Sequence, residues 1–509
     1  MKQLQQIIHS LPKRFKKHRA QGYVGAFHFK LHGDCDSFTI TIQDGNCTIA
    51  TGLVGKASCT LELSCQDYID LESGTLQVQE AFLSQKITTN NVLEAMNFGN
   101  FFQPYYKYNS IPKQVLESRK PQHGPLVGIR ILDFSRLLPG PLATMMLADM
   151  GAEVIKIEHP DFPDYVRNYP PFIKGVSANY LALNRSKRSL SLDYQSESGK
   201  ETFFQLIRTA DLVVEQFRPG VMDEWGIGYE IAKTINPRIS YVSLTGYGQT
   251  GHLAQKAGHD LNYMAYSGVL GLIKDQNGKP VIPGVQLADI AAGSYMTVSA
   301  CTSALLARAQ TGKGQHVDVA MLDGLLPLIT LPFAQYQASG KVHHNDELPL
   351  SGALANYNVY ECSDGKWLAL GALEPKFWKN FCQFLGKPDW AALVSFDQAS
   401  SKALQQEVSQ VFKQKKQADW LLEAEKFDVC LSPIALLNEL EGNLHLQARN
   451  MIITEHHEKV GDFKNIGIPI KFGGTPAKPA WSAPQIGDDT QAILKELDEL
   501  RHDTNTLKT

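Results

Sequence analysis

The residues with the clearest capacity for chemistry lie in Ala257–Gly293, AGHDLNYMAYSGVLGLIKDQNGKPVIPGVQLADIAAG. His259 stands beside Asp260, and a second aspartate, Asp289, follows 30 residues after His259. An imidazole changes charge near neutral pH, and a carboxyl group in an apolar surround can be brought toward the same range. Held at the ends of neighbouring elements, the two can act as proton-transfer groups on opposite sides of a small substrate. Asp289 reads as closing a strand-like run and opening the longest helix-like segment, Asp289 to Ala309, stopped by Gly312-Lys313-Gly314. An aspartate there is also an ordinary N-cap, and Asp260 reads as a holder of local structure.

The elements that must position this pair follow an α/β pattern from Gly128 onward. IRILDFS is a buried strand, RLLPG a tight loop, PLATMMLADMG a helix ended by Gly151, and AEVIKIE a second strand. Continuous apolar strands recur at ADLVVEQF, ISYVSLTGYG and HVDVAML, which predicts a doubly wound parallel sheet. The βαβ unit from IRILDFS to AEVIKIE lacks GxGxxG, so it is not a dinucleotide fingerprint. From Asn356 the pattern changes to a smaller α/β domain. NVYECSDGKWLALGAL reads as a hairpin, and PKFWKNFCQFLG, 418–427 and SPIALLNELEGNLHLQAR read as helices. A Pro-rich extended stretch then leads to a helix, Thr490 to Leu500, that packs back on the large domain.

Upstream, FHFKL, SFTITIQ, NCTIATG and CTLELS alternate as strands, with a hairpin at Asp44-Gly45-Asn46 and helices at 66–71, 77–83 and 91–98. An antiparallel sheet with helices on one face can leave an apolar tunnel between its layers. The expected organisation is therefore 1–105 as an α+β domain, 106–124 as a linker, 125–344 as the large domain, 345–465 as the small domain, and 466–509 returning to the large one.

At 509 residues the chain is too long for one core, and a net charge of -3 argues against nucleic acid as a partner. The basic run Lys13–Arg19 reads as the wet end of a helix, and Leu325–Ala334, broken by Pro327 and Pro332, is too short to cross a bilayer. No signal peptide is visible, so the expectation is a cytoplasmic protein without stable membrane insertion. Eight scattered cysteines show no CxxC or CxxH spacing; no metal site and no disulfide framework is expected, only reduced thiols.

Two resemblances follow from longer motifs. Residues 18–100, through TITIQDGNCTIATG and CTLELSCQDYIDLESGTLQVQEAFLSQKITT, resemble the sterol carrier protein type 2 family of lipid-binding domains. That resemblance implies a fatty acyl, acyl-CoA or sterol ligand, with Phe82, Leu83, Met96, Phe98, Phe101 and Phe102 available to line a tunnel or fill a core. Residues 124–500 resemble the family III CoA-transferases, which include the α-methylacyl-CoA racemases. The motifs, in order, are DFSRLLPGPLATMMLADMGAEVIKIE, LNRSKRSLSLD, DLVVEQFRPGVMDEWGIG, YVSLTGYGQTG, GHDLNYMAYSG, LADIAAGS, GALEPKFW and GTPAKP. The resemblance implies a Rossmann-like large domain, a small domain and an interlocked homodimer.

His259 in GHDLNY, Asp289 in LADIAAG and Glu374 in LEPKFW match the racemase pattern of catalytic residues. Inverting a carbon α to a thioester needs a base on one face, an acid on the other and a home for the developing enolate. His259 and Asp289 fit the proton pair, Glu374 can orient His259, and a helix start at Asp289 aims N–H groups at the thioester oxygen. The phosphates of CoA call for cations along their path. Lys187 and Arg218 match nucleotide-contacting positions of the family, Arg188 can instead pair with Asp193, and Arg136 is a phosphate-binding or structural residue. Tyr247 and Gly248, in the TGYGQTG loop with Gly246 and Gly251, can approach the pantetheine arm; Met145, Met146, Met264 and Met321 are available for the acyl tail. No cofactor beyond the CoA moiety of the substrate is expected. The same aspartate would carry a covalent intermediate in a CoA-transferase, and a third reading is a non-catalytic acyl-CoA or lipid carrier. A further departure from the family is Gly487-Asp488-Asp489-Thr490 where relatives carry Gly-x-His-Thr.

Overall fold

Short runs in which almost every residue is buried set the centre of the computed structural model, which describes residues 2–73, 76, 78–102, 105, 120–275, 277–342, 347–393 and 398–506. The chain divides into two compact units, Met1–Ser118 and Arg119–Thr509. Most of the expected linker, 106–119, lies outside the described residues.

In the first unit α1 (Lys2–Arg14) precedes β1 (Gly25–His32), β2 (Phe38–Gln43), β3 (Asn46–Thr51) and β4 (Cys59–Ser64). Then come α2 (Cys65–Ser73), α3 (Val78–Leu83), β5 (Ile87–Thr89) and α4 (Val92–Phe101). The β2–β3 turn places Asp44 and Gly45 at φ 51° and 70°, the left-handed pair that a two-residue hairpin demands. The sheet runs β3-β2-β1-β4-β5, and β1 pairs β4 in parallel, a mixed sheet where alternation alone implies an antiparallel one. Two further expectations are corrected here. Cys35 and Cys65 form a disulfide, because the β1–β2 connection folds over the start of α2; two cysteines so far apart in sequence escape a search for metal or CxxC spacing. The basic run is not wholly wet: Arg14 is buried and donates to Glu72 at 2.8 Å. Phe101 and Phe102 fill the core, whereas Leu83 and Met96 are 87% and 64% exposed and cannot line an interior tunnel.

The second unit is built on β6 (Arg130–Asp133), α5 (Pro139–Asp149), β7 (Glu153–Glu158), β8 (Lys187–Ser191), α6 (Glu197–Thr209), β9 (Leu212–Glu215), β10 (Ser240–Thr245) and β11 (His316–Ala320). Its six strands are all parallel in the order β8-β7-β6-β9-β10-β11. Side chains alternate between two cores. Ile131, Val154, Val214 and Val242 face one, with Leu147 and Ala148 of α5; Leu132, Ile155, Val213 and Tyr241 face the other, with Phe203, Leu206 and Ile207 of α6. Burial on both faces is why these strands read as continuous apolar runs. This is the doubly wound arrangement, and its strand order reverses between β6 and β9, the crevice where such sheets bind ligands beyond the strand carboxyl ends.

Beyond the sheet, β12 (Tyr357–Glu361), β13 (Trp367–Gly371), α7 (Pro375–Phe384) and β14 (Leu431–Pro433) form the smaller layer. The expected helices across SPIALLNELEGNLHLQAR shrink to a strand end, a 3-10 turn at Leu437–Glu439 and a five-residue helix, Leu444–Ala448, since Pro433 and Gly442 interrupt the helical pattern. The last helix, α8 (Thr490–Thr506), does return to the sheet, burying Ile493 and Leu497.

Candidate active site

At the strand reversal a cavity of about 330 Å³ opens, lined by Leu137 and Pro139 beyond β6, Gln216–Pro219 beyond β9 and Leu244–Tyr247 at the end of β10. Its far wall carries His259, Tyr263, Asp289 and Met321. The sequence pair therefore meets in one cleft, and local structure explains how.

GHDLNY starts a short helix, Asp260–Tyr266, in which the Asn262 side chain accepts the His259 backbone N–H at 3.0 Å. This fixes the His259 backbone and leaves its imidazole exposed to the cleft. LADIAAGS opens a helix that is π-wound over Ala288–Tyr295 and α-helical over Met296–Thr311. Single π turns widen a helix at sites where a side chain must be re-aimed. The small residues matter: a Cβ on Gly293 would stand 2.9 Å from the Pro139 side chain, so only glycine lets this helix lie against the loop after β6. No strand precedes Asp289; the segment before it is extended loop, with one isolated bridge between Lys274 and Pro280. The prolines at 280 and 283 give an extended reading without a ladder to join.

Asp260 ties the two catalytic candidates together. Its Oδ1 accepts the N–H groups of Ala288 and Asp289 at 2.7 and 3.0 Å. The expectation that those N–H groups receive a thioester oxygen is thereby corrected: they are already satisfied. Burial, and then the neighbouring Asp260 charge, push the Asp289 carboxyl up to about 7. Burial also raises Tyr263, with Asp289 second, and the Tyr263 hydroxyl donates to the Gly258 carbonyl at 2.5 Å. Tyr247 lies in the cleft wall with its hydroxyl buried, edge-on to Tyr263 at 5.0 Å. Gly248, at φ 86°, lets the loop turn there, although it is Gly246 that touches the cleft. Of the four methionines only Met321 reaches it; Met145 and Met264 are core.

The cationic candidates separate. Arg218 is exposed and lines the cleft. Lys187 does not: its ammonium is fully buried and donates to Asp133, Pro141 O and Asn184 at 3.0, 2.9 and 3.0 Å, so no proton remains for a phosphate. Arg188 is equally internal, bound to Glu153 at 2.6 Å and Glu496 at 2.8 Å, and not to Asp193. Arg136 spends its guanidinium on Tyr165, Phe162 O and Tyr194 and stacks over Phe217 at 5.0 Å, which makes it a brace behind the cleft. Glu374 stands exposed at the N-terminal end of α7, makes no side-chain capping bond, and is not among the residues lining the cavity within one chain. Asp489, at the departed motif, accepts the Ser189 N–H at 2.9 Å and serves the sheet. A cation that the sequence reading missed is Lys256, which lines the cleft and donates to the Tyr266 hydroxyl at 2.7 Å. Its only signal was its place three residues before His259. Among the described residues no group of histidines, cysteines and carboxylates is placed to hold a metal ion.

Comparison with known proteins shows the family. Residues 126–490 match the model of CoA-transferase family III, and residues 4–103 match that of the SCP-2 sterol transfer family. The chain is 32% identical to the mouse succinyl-CoA:glutarate CoA-transferase, over 75% of this chain and 88% of that protein. It is also 32% identical to human alpha-methylacyl-CoA racemase, over 73% of this chain and 93% of that protein. Among solved structures, a CAIB/BAIF family protein from Brucella suis superposes with a TM-score of 0.66 at 32% identity, covering 74% of this chain and all of that one, 100%. The chain thus belongs to CoA-transferase family III, with an SCP-2 sterol transfer domain at its N-terminal side.

Proposed function

We propose that this enzyme inverts the α-carbon of 2-methylacyl-CoA thioesters, with His259 and Asp289 as the proton pair. The observation that carries the reading is that both side chains line one cavity and the Asp289 carboxyl is held at about 7, where it can give or take a proton at neutral pH. In one direction the imidazole takes the α-proton, the C–H electron pair moves into the enolate, and protonated Asp289 returns a proton to the opposite face. In the other direction the roles reverse. Arg218 and Lys256 stand at the cleft where the CoA phosphates would enter.

Two features extend the proposal. Glu374 joins such a site through a second copy of the chain; the apolar helix Thr330–Ser339, which buries none of its residues and leaves Leu331, Phe333 and Tyr336 exposed, supports a homodimer. The SCP-2 domain would hold the acyl chain or a sterol and raise the local concentration of apolar substrate.

The test is exchange: in D2O the protein should place deuterium at C2 of a 2-methylacyl-CoA as it inverts, and H259A and D289A should abolish both. Inversion with retention of the α-proton would sink the proposal. The second reading, a CoA-transferase with Asp289 as nucleophile, is favoured by the equal likeness to the succinyl-CoA:glutarate enzyme. Hydroxylamine capture of an Asp289 acyl adduct would establish it instead.

A further inference from the structure

Among the described residues, buried carboxylates are matched to cations with one exception. Asp133 meets Lys187, Asp149 meets Arg185, Glu158 meets Arg167 and Asp164 meets Lys156, each at 3.0 Å or less. Glu215, 4% exposed at the end of β9, has no ion-pair partner among the described residues. An acid placed so deep without a cation is costly unless it stays neutral and hydrogen-bonded.

One of its hydrogen bonds holds a cleft loop and the other reaches the neighbouring strand. Oε2 accepts the Phe217 N–H at 2.7 Å, pinning the first turn of the loop Gln216–Pro219 that lines the cavity and carries Arg218. Across the sheet Glu215 is paired with Ser243, whose hydroxyl bonds Glu215 and stands 2.9 Å from His316 Nε2. His316 is in turn stacked on Tyr229 with ring centroids 5.2 Å apart. Ser243 is followed by Leu244–Tyr247, the end of β10 and the turn after it, so the Glu215–Ser243 contact joins the roots of both walls. We infer that Glu215 is a positioning residue for acyl-CoA binding: its neutral carboxyl clamps the Arg218 loop to β10, and its ionisation loosens that clamp.

The electrostatics give the direction. Burial pushes the Glu215 carboxyl up to about 7; the Ser243 and Phe217 bonds oppose this, and Asp223 and Asp318 add to it. The groups facing it are Asp223 from the helix after the loop, Tyr241 and Ser243 from β10, and His316 and Asp318 from β11. Burial lowers His316, so no imidazolium is ready to balance a Glu215 charge above neutrality. Below pH 7 the carboxyl can donate to Ser243 while accepting from Phe217. Above it, a carboxylate confronts Asp223 and Asp318 in a dry site, and the loop must move to hydrate it.

This inference rests on the cleft being the acyl-CoA site, and binding of CoA itself separates the two. CoA affinity is measured by calorimetry from pH 6 to 8.5 in D289N, which removes the other cleft carboxyl that titrates near neutrality. The expected result is a fall in affinity of about tenfold as pH rises through 7. E215Q in the same background should bind as tightly as its parent at pH 6 and lose the fall, because the amide keeps an acceptor for Phe217 and cannot ionise. E215A should bind weakly at every pH. An E215Q profile that falls like its parent's overturns the inference, as does an E215A variant with unaltered affinity. Should the alanine variant not fold, E215Q alone decides. No CoA binding in the D289N parent at any pH overturns the assignment of the cleft as well.

Discussion

Two basic regions of the large domain look alike in sequence and differ completely in structure. The LNRSKRSLSLD stretch forms β8, where Lys187 and Arg188 are sealed among Asp133, Glu153 and Glu496. Arg218 and Lys256 stand at the cleft, where they face the cavity and, among the described residues, no buried acid pairs with them. In the first region every charge has a counter-charge. Burial works against the Asp133 carboxylate, but Lys187 and Lys156 together hold it below the usual range. In the second, Asp289 and Glu215 are each pushed up to about 7 by burial without a cation to hold them down. Paired charge builds the frame; unpaired charge marks the place where something else is to be bound or protonated.

The largest effect should come from breaking a pair. Lys187→Ala removes the ammonium paired with buried Asp133, leaving only the charge of Lys156 nearby, and should cost about 3–5 kcal/mol of stability, read from denaturant unfolding. Residual folded protein should bind CoA with unchanged affinity. If K187A is stable and instead binds CoA poorly, the ammonium reaches the ligand after all and the contrast between the regions collapses.

A smaller and opposite effect is expected at Asp289. Its folded pKa lies above the unfolded value of 3.8, so no stability is lost once pH falls well below 4, where both states are protonated. As pH rises toward 7 the unfolded chain ionises first and stability falls. Asp289→Asn should therefore be more stable than the unchanged protein by about 2 kcal/mol at pH 8, and equal to it near pH 3.5. Thermal melts at the two pH values check this, and a variant no more stable at pH 8 would show that Asp289 is not held protonated by its surroundings.

Much of this was legible in the sequence. Strands buried on both faces, a helix opened by Pro139 and closed by Gly151, and the Asp44-Gly45 hairpin carry local signals strong enough to read without coordinates. So did the meeting of His259 and Asp289, because each lies at the start of a helix. Sequence could not separate Lys187 from Arg218, since burial of a lysine depends on Asp133 and the Pro141 carbonyl, far along the chain and in other elements. Nor did spacing show that Asp260 caps the helix carrying Asp289, or that Cys35 meets Cys65. Glu215 was hidden for the opposite reason: it sits in an unbroken apolar strand, and only the absence of a cation around it gives it meaning.

The smallest effect tests the cleft side of the comparison. Arg218 is exposed, so its removal should leave the fold intact, and Arg218→Ala should melt within a degree or two of the unchanged protein. Binding should respond instead. A guanidinium that meets a phosphate makes a charge-assisted pair, and its loss should weaken CoA by about tenfold at low salt, with a shallower salt dependence than the unchanged protein. Lys256→Ala should weaken it less, because its ammonium is already shared with the Tyr266 hydroxyl and ring. Dephospho-CoA, which lacks the 3'-phosphate, tells which part of the ligand each cation meets: a residue whose removal costs CoA and dephospho-CoA equally lies along the diphosphate. If neither substitution alters CoA affinity, the unpaired cations of the cleft are surface charge, and freedom from a counter-charge no longer distinguishes the site from the frame.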